Sequence, residues 1–556
     1  MNIKKIIAIS MALIMLLSAV GCDNDDTLDN TSSDSTSNVT ATVPEVTLLY
    51  AASDSLNPYK AETSINRQLS SLMYDPLVKL DPEFQPQFCL AKSVDFDEKD
   101  CLITLKDAVF SDGTAVTAED VVYSLKLAME SELTAYKQQL KNVKSYKATE
   151  DGKILVTLAK ADPYFANLLD FPIIKKSTDT LTDENKITLP PIGSGAYIFD
   201  TKEKVLSVNT NYSFNAPKVK TVKLINAPDK VVEKYNLEVS KVSIYYTDLA
   251  DGVIPPMSGN ISSVNLNNLV YLGANLDNTF LENSNIRYAL AIAVDRTAIC
   301  NEAYFEYATP ATGLFNSAWN DAGSLQNLTK TADLENVVAI LEDIGYNSKD
   351  EEGFFVNSKG KAITFKLIVN KENPRRLKAA ELVKQQLEIA GFKIDLEVLE
   401  WNKYVEALTY DNYDLYIAET QLPKNMDVTE LVTTGGSLAY GIPALKPAPS
   451  TEQKPDGGSS DEKAESDKNK PETDDKKPTD TVVPPSNISS IPLLDKAVKG
   501  FYTEDMSLVD VINAFNAETP VIPLCHRQGL VACNSKINSN NMSSVSDAYF
   551  GFKNIK

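Results

Sequence analysis

The sequence predicts an α/β protein of at least two lobes, and three observations carry that expectation. The chain has 556 residues, more than one hydrophobic core ordinarily organises. Its composition, 43% hydrophobic and 23% charged, is that of a globular protein able to bury such cores. Residues 363–401 spell a βαβ unit. There Ile363, Phe365 and Leu367 alternate with Thr364 and Lys366, as a strand requires. Ala380, Val383, Leu387 and Ala390 then recur at helical spacing, and Gly391 is the stop. Phe392, Ile394, Leu396 and Val398 alternate once more with polar residues. A crossover of this kind gives parallel strands with a right-handed connection.

The N-terminus sets the compartment. Lys4 and Lys5 precede an apolar run from Ile6 to Leu17. That run has signal-peptide length and is too short to span a bilayer as a helix. Ala19-Val20-Gly21-Cys22 follows and resembles a bacterial lipobox, so residues 1–21 are expected to be a signal peptide and Cys22 the lipidated first residue. Residues 22–44 are Asp, Asn, Ser and Thr with little to bury, which reads as a disordered tether. Two acyl chains suffice for stable anchoring to the membrane. The net charge of −22 argues against nucleic acid and against an anionic lipid surface.

Along the mature chain, Glu45 to Ala51 reads as a strand and residues 61–75 as a helix. In the block Leu72 to Met129, Asp112-Gly113 is a turn. Thr117 is the expected N-cap, its hydroxyl accepting from the N–H three residues on, with Asp120 at the positive end of the helix dipole. Val121, Leu125 and Ala128 form the buried face. Pro190 to Tyr197 is a glycine-bearing turn before a strand. A strand ends at Leu272 to Asn275, a helix starts near Asn283 or Ser284, and Tyr413 to Ala418 is another strand. Arg287 and Asp295 are expected to form structural ion pairs rather than to line a site. Residues 446–487 are rich in Pro, Lys, Asp, Glu, Ser and Thr, and are read as a disordered insertion. Order resumes near Ile491, with a helix around Leu508 to Asn516 and a last strand from Pro520.

Little in the chain suggests chemistry. Besides Cys22 there are Cys89, Cys101, Cys300, Cys525 and Cys533, and none has zinc-ligand spacing. Cys525 and Cys533 flank a possible hairpin turn at Gln528-Gly529, so a disulfide between them is an open possibility. His526 is the single histidine. A Ser-His-Asp hydrolase would have to work through it, and no G-x-S-x-G elbow accompanies it. Neither enzyme activity, a cofactor nor a resident metal is expected.

Several strings jointly resemble the family 5 extracytoplasmic solute-binding proteins, the receptors of oligopeptide, dipeptide and nickel ABC importers. They are the Leu72 to Met129 block, Pro190-Pro191-Ile192-Gly193-Ser194-Gly195-Ala196-Tyr197, Asn209 to Tyr212, the string NIRYALAIAVDRTAI from Asn285 to Ile299, Thr309 to Gly313, Glu400-Trp401 and Pro520 to Arg527. The resemblance implies a periplasmic-binding-protein-like fold of the large, three-subdomain type, with hinge strands and an interlobe ligand cleft. The first lobe would run over residues 45–274, with an extra subdomain at about 97–188. The second would run over 275–518, interrupted by the 446–487 insertion, and 519–556 would return to the first. The expected function is ligand capture by hinge closure and delivery to an ABC permease, by a monomer, with a peptide as the leading ligand. A surface sensor uncoupled from transport, or a receptor for an anionic solute, a sugar or a nickel chelate, are the alternatives.

The resemblance points to ligand-binding candidates at Asp54, Asn275, Trp401, Glu419, Thr420, Gln421, Lys424, Asp427, Cys525 and His526. Peptide-binding relatives carry G-W-x-x-D after the strand that ends here near Ala418, and its aspartate meets the ligand's α-ammonium. This chain reads Glu419-Thr420-Gln421-Leu422-Pro423-Lys424-Asn425-Met426-Asp427, with Lys424 in the aspartate's place. A lysine there repels an ammonium. Either Glu419 or Asp427 supplies the anion, or Lys424 meets an anionic ligand, or the strings align with a slip.

Overall fold

The structure is a computed structural model that describes residues 43–445, 488–503 and 505–556. The expected signal peptide, Cys22 with most of the expected tether, and the expected 446–487 insertion lie outside the described residues.

The first core forms around two small sheets. Val46–Tyr50 pairs in parallel with Thr221–Asn226, which continues through Val205–Val208 to Tyr197–Asp200. Against it lies the helix Ser64–Met73, capped by Thr63, whose hydroxyl accepts from the Asn66 N–H. The second sheet is antiparallel, in the order Ala91–Asp97, Asp100–Leu105, Ile154–Leu158, Val143–Ala148. The helix Ala118–Glu130 buries Val121, Leu125 and Ala128 as its spacing predicts. Its start is a capping box of Thr117 and Asp120, with a further bond between their side chains. The Thr117 hydroxyl donates to the Asp120 carboxylate at 2.7 Å, and the Thr117 N–H does so at 2.9 Å. Asp120 therefore organises the helix start, because one of its carboxylate oxygens accepts both bonds.

Gly193 and Gly195 have no left-handed backbone. They are small because the chain passes against the end of the helix Ser64–Met73, where a Cβ would meet the Met73 carbonyl group at 2.2 and 2.3 Å respectively. The expected glycine requirement holds, through close approach rather than turn conformation.

The second core is built on the βαβ unit. Thr364–Asn370 and Lys393–Leu399 pair in parallel, joined by the helix Pro374–Ile389. Gly391 ends that crossover with φ +97°. These strands belong to a seven-stranded sheet that continues through Leu415–Gln421 to two long antiparallel strands, Asn260–Ala274 and Val521–Cys533.

The long strands join the lobes. Val264, Leu266, Val531 and Cys533 pack in the first core, whereas Leu269 to Leu272 and Val521 to Cys525 include residues of the second. Their register slips between Asn265 and Asn268, where the strands leave one core for the other. A bulge bends a strand and loosens its ladder locally, which suits a hinge. The result is a two-lobed α/β fold with crossing strands between the lobes.

Three expectations are corrected here. No hairpin forms at Gln528-Gly529, because Val521–Cys533 is one continuous strand. Cys525 and Cys533 sit toward its two ends, roughly 26 Å apart at about 3.3 Å per residue, far beyond disulfide reach; both are free. Glu419, Thr420 and Gln421 are not loop residues but the end of the strand Leu415–Gln421. Arg287 makes no ion pair among the described residues. Its guanidinium donates to the carbonyls of Leu281, Glu282, Glu518 and Thr519, tying the turn before the helix Ser284–Ala293 to the end of the helix Leu508–Glu518. Asp295 caps the helix Arg296–Glu302 by accepting from the Ala298 N–H at 2.8 Å.

Candidate ligand-binding cleft

A cavity of about 560 Å³ lies between the two cores. One wall comes from the chain beside the antiparallel sheet of the first core, with Gln138, Lys141, Asn142, Lys160 and Asp162. Its neighbours Leu140, Val143 and Leu158 belong to the first core. The facing wall carries Thr420, Gln421, Lys424, Asn425 and Asp427, flanked by Leu422, Met426 and Leu431 of the second core. The strand Leu415–Gln421 projects this wall because the Asn267 side chain donates to the Leu422 and Pro423 carbonyls at 3.1 and 3.0 Å. Those bonds originate within the register slip, so the wall hangs directly from the hinge.

The chain's own groups bridge this cleft. Lys424 forms an ion pair with Asp170 of the first lobe, and their side chains are 13% and 2% exposed. Asn167 donates to the Lys424 carbonyl at 3.1 Å, and Asn425 donates to the Asp162 carboxylate at 2.7 Å. At the rim, Lys141 pairs with Glu430 at 2.7 Å. Beside them the Tyr164 hydroxyl donates to Asp321 at 2.9 Å, and its ring meets Trp319 edge-on at 5.0 Å.

The remaining charges on the walls are uneven. Asp162 also accepts from the Tyr164 N–H at 3.0 Å. Burial pushes its pKa up to about 6, the hydrogen bond from Asn425 opposes this, and the Asp427 charge adds to the rise. Asp427 accepts from the Thr429 N–H at 2.9 Å. Among the described residues no cation pairs with either carboxylate.

The sequence candidates divide sharply. Thr420, Gln421, Lys424 and Asp427 line the cavity. Gln421 also lines a neighbouring cavity of about 320 Å³ together with Ser64, Gln68 and Asn268. Its exposed side chain makes no hydrogen bond to a described residue. The others are occupied elsewhere. Asp54 accepts from the N–H groups of Ser55, Glu62 and Thr63 and from the Thr63 hydroxyl, shaping the entry to the first helix. Burial would raise its pKa, but those bonds outweigh it and the net shift is downward. Asn275 donates to the Tyr413 carbonyl and accepts from the Asp277 N–H, closing a turn. Trp401 stacks on Tyr404 at the surface, half exposed. Glu419 is held by Arg527 at 2.6 Å and Asn268 at 3.0 Å.

Cys525 and His526 are fully buried in the long strand. Neither His526 ring nitrogen has a hydrogen bond of normal geometry. Burial lowers its pKa to about 4, an effect the Leu314 backbone offsets only in part. A neutral imidazole in that position is a core side chain, removed from the cavity. Sequence reasoning missed Asn167, Asp162 and Asp170, which lie in a stretch whose local pattern distinguishes none of them. Among the described residues no group of three or more His, Cys, Asp or Glu side chains stands ready for a metal ion, and no helix is long and apolar enough to cross a membrane.

This geometry, two lobes on crossing strands around a cleft, is that of a solute receptor, and comparison with known proteins agrees. Residues 83–437 match the family model of bacterial extracellular solute-binding proteins, family 5 Middle. The chain belongs to this family. It is similar to the oligopeptide-binding protein AppA of Bacillus subtilis, 23% identical over 62% of this chain and 67% of that one. It is also similar to the glutathione-binding protein GsiB of Shigella flexneri, 24% identical over 47% of this chain and 53% of that one. Among solved structures, a nickel ABC transporter protein from Bacillus halodurans shares the fold with TM-score 0.68 and 18% identity, covering 91% of this chain and 98% of its own.

Proposed function

We propose that the chain is a lipid-anchored extracytoplasmic receptor that captures a peptide with a free amino terminus and hands it to an ABC importer permease. One observation supports the ligand class. Lys424 is already neutralised by Asp170, and Lys141 by Glu430, which leaves Asp162 and Asp427 against the single lysine Lys160 as the wall charges outside an ion pair. Two carboxylates against one lysine favour an incoming ammonium over an anion. Glu419 is the poorer anion for that role, being held by Arg527. The similarity to an oligopeptide-binding and a glutathione-binding protein points the same way.

In mechanism the receptor needs no chemical step. Ligand reaches one wall of the open cleft, and rotation at the register slip brings the other wall onto it. Closure requires contacts from both lobes. Asp427 supplies them from the second lobe and Asp162 from the first. Gln421, free and at the junction of two cavities, meets the peptide backbone. The lobe boundaries are taken at residues 45–274, 275–518 and 519–556. Lipid on Cys22 keeps the monomer beside its permease, and no catalytic activity is assigned.

Mass spectrometry of small molecules co-purifying with the protein truncated before residue 43, followed by calorimetry with what is found, tests this reading. The expected result is a peptide whose affinity falls at least tenfold on N-acetylation and at least tenfold in Asp427→Asn. Equal affinity for the free and acetylated peptides would overturn the ammonium assignment.

A further inference from the structure

A second cavity, of about 330 Å³, lies within the first lobe and away from the cleft. It opens between the end of the helix Ser64–Met73, the short strand Pro86–Phe88 and the chain's last turn around Phe552. Its volume falls at the lower end of the range used by small-molecule sites, about 300–1,000 Å³.

Three kinds of group meet there. Asp75 is 2% exposed, and one of its carboxylate oxygens is buried without a hydrogen-bond partner. Burial raises its pKa to about 6, against the pull of nearby Lys79 and a hydrogen bond from the Cys89 thiol. Lys79 donates to Asp547 at 3.0 Å, which uses one of the three N–H groups of an ammonium. Lys106 and Lys553 add positive charge to the same lining. The wall between these charges is aromatic, with Phe88, Phe214 and Phe552 among its residues.

A bare buried carboxylate oxygen is destabilising unless a donor reaches it. Water would satisfy the oxygen but would leave the aromatic wall wet. A simple anion would satisfy the lysines and repel Asp75. A simple amine would satisfy Asp75 and meet three lysines. A zwitterion with an apolar body answers all three, because it carries a donor for Asp75, an anion for the lysines and an apolar surface for the aromatic wall.

We propose that this cavity binds a free α-amino acid with an aromatic or large aliphatic side chain. Its ammonium meets the unpartnered Asp75 oxygen, its carboxylate meets Lys79 with Lys106 or Lys553, and its side chain lies along Phe88, Phe214 and Phe552. The site is independent of the peptide cleft, so the receptor would hold two ligands of different size.

Calorimetric titration of the mature chain, without its lipid, with L-phenylalanine tests the proposal. Phenethylamine and 3-phenylpropionate serve as probes lacking one charge each. Saturable binding of L-phenylalanine is expected, with both half-ligands at least tenfold weaker. Asp75→Asn should weaken L-phenylalanine at least tenfold, and the cleft variant Asp427→Asn should leave it unchanged. Lys106→Met, at the exposed edge, gives the same reading if Asp75→Asn fails to fold, with a severalfold loss expected. Absence of saturable binding up to millimolar L-phenylalanine would overturn the proposal. So would half-ligands binding as tightly as the whole, unchanged affinity in the variants, or a crystal soaked with L-phenylalanine that holds only water at Asp75.

Discussion

At the scale of single residues, the informative side chain is Lys424. Read along the chain it stands where an ammonium-binding aspartate is expected, and it therefore suggests an anionic ligand. In three dimensions its charge is spent on Asp170 across the cleft. A paired lysine repels nothing, and the neighbouring carboxylates set the sign of the site. Removing one partner of a buried pair strands the other, at a cost of about 3–5 kcal/mol where water cannot return. Here opening of the cleft lets water return, so the cost falls on closure. Asp170→Asn is expected to weaken peptide binding about tenfold or more while shifting the melting temperature by only a few degrees. Calorimetry and thermal unfolding on the same sample separate the two, and a large melting shift with unchanged affinity would contradict this assignment.

His526 makes the opposite case, a residue with chemical promise and a structural role. Its folded pKa, about 4, lies below the ordinary histidine value of about 6.5. The unfolded chain therefore takes up the proton first as pH falls. Stability is intact above pH 6.5 and is lost as pH drops toward 4, by about 3 kcal/mol in full. Asp162 and Asp75 work in the other sense, because their raised values, each about 6, relieve buried charge on acidification. Urea unfolding of His526→Leu and the wild type from pH 7 to pH 4 isolates the histidine. The stability of the wild type relative to the variant should decline across that interval, and a constant difference would contradict the argument.

At the scale of elements, close approaches matter more than propensities. Gly195 passes so near the end of the helix Ser64–Met73 that a Cβ would sit 2.3 Å from the Met73 carbonyl carbon. Gly195→Ala should therefore cost about 1–3 kcal/mol through overpacking, measurable by chemical unfolding. On the hinge strand, a Cβ at Gly273 would meet the Tyr416 ring at 2.1 Å. The edges of the insertion are equally specific. Ala444 pairs with Ser489 and Leu445 with Ile488 in a two-stranded antiparallel ribbon. Paired residues of that kind lie about 4.5–5.5 Å apart, a gap that a two-residue turn closes. Replacing residues 446–487 with Asn-Gly is expected to leave both melting temperature and peptide affinity nearly unchanged. A collapse of either would assign the segment a role in the fold or the cleft.

The elements themselves were largely legible in the sequence. Periodicity located the βαβ unit, the capped helix Ala118–Glu130 and the helix Leu508–Glu518, because each buries one face and repeats at its own period. The hairpin expected at Gln528-Gly529 did not form. A Gln-Gly pair resembles a turn locally, but pairing with Asn260–Ala274 along most of its length holds the strand extended. The strand near Tyr413 to Ala418 likewise runs on to Gln421, because the neighbouring long strand offers partners as far as Asn268.

At the scale of the whole molecule, two long strands carry the function. They thread both cores, slip register between them, and hang the wall Leu422 to Asp427 from the slip through Asn267. The proposed anchor belongs to this scale too. Cys22→Ala should release the receptor from the membrane fraction into the medium, and persistent membrane association of that variant would argue against lipidation. The sequence by itself determined the class of fold and the family, because these depend on periodicity, composition and strings read along the chain. The tertiary structure alone decided which charges face the cleft. Asp162 and Asp170 are distant from Lys424 and Asp427 in the chain and meet them only when two lobes approach. Electrostatic pairing depends on distance in space, and local pattern carries no record of it.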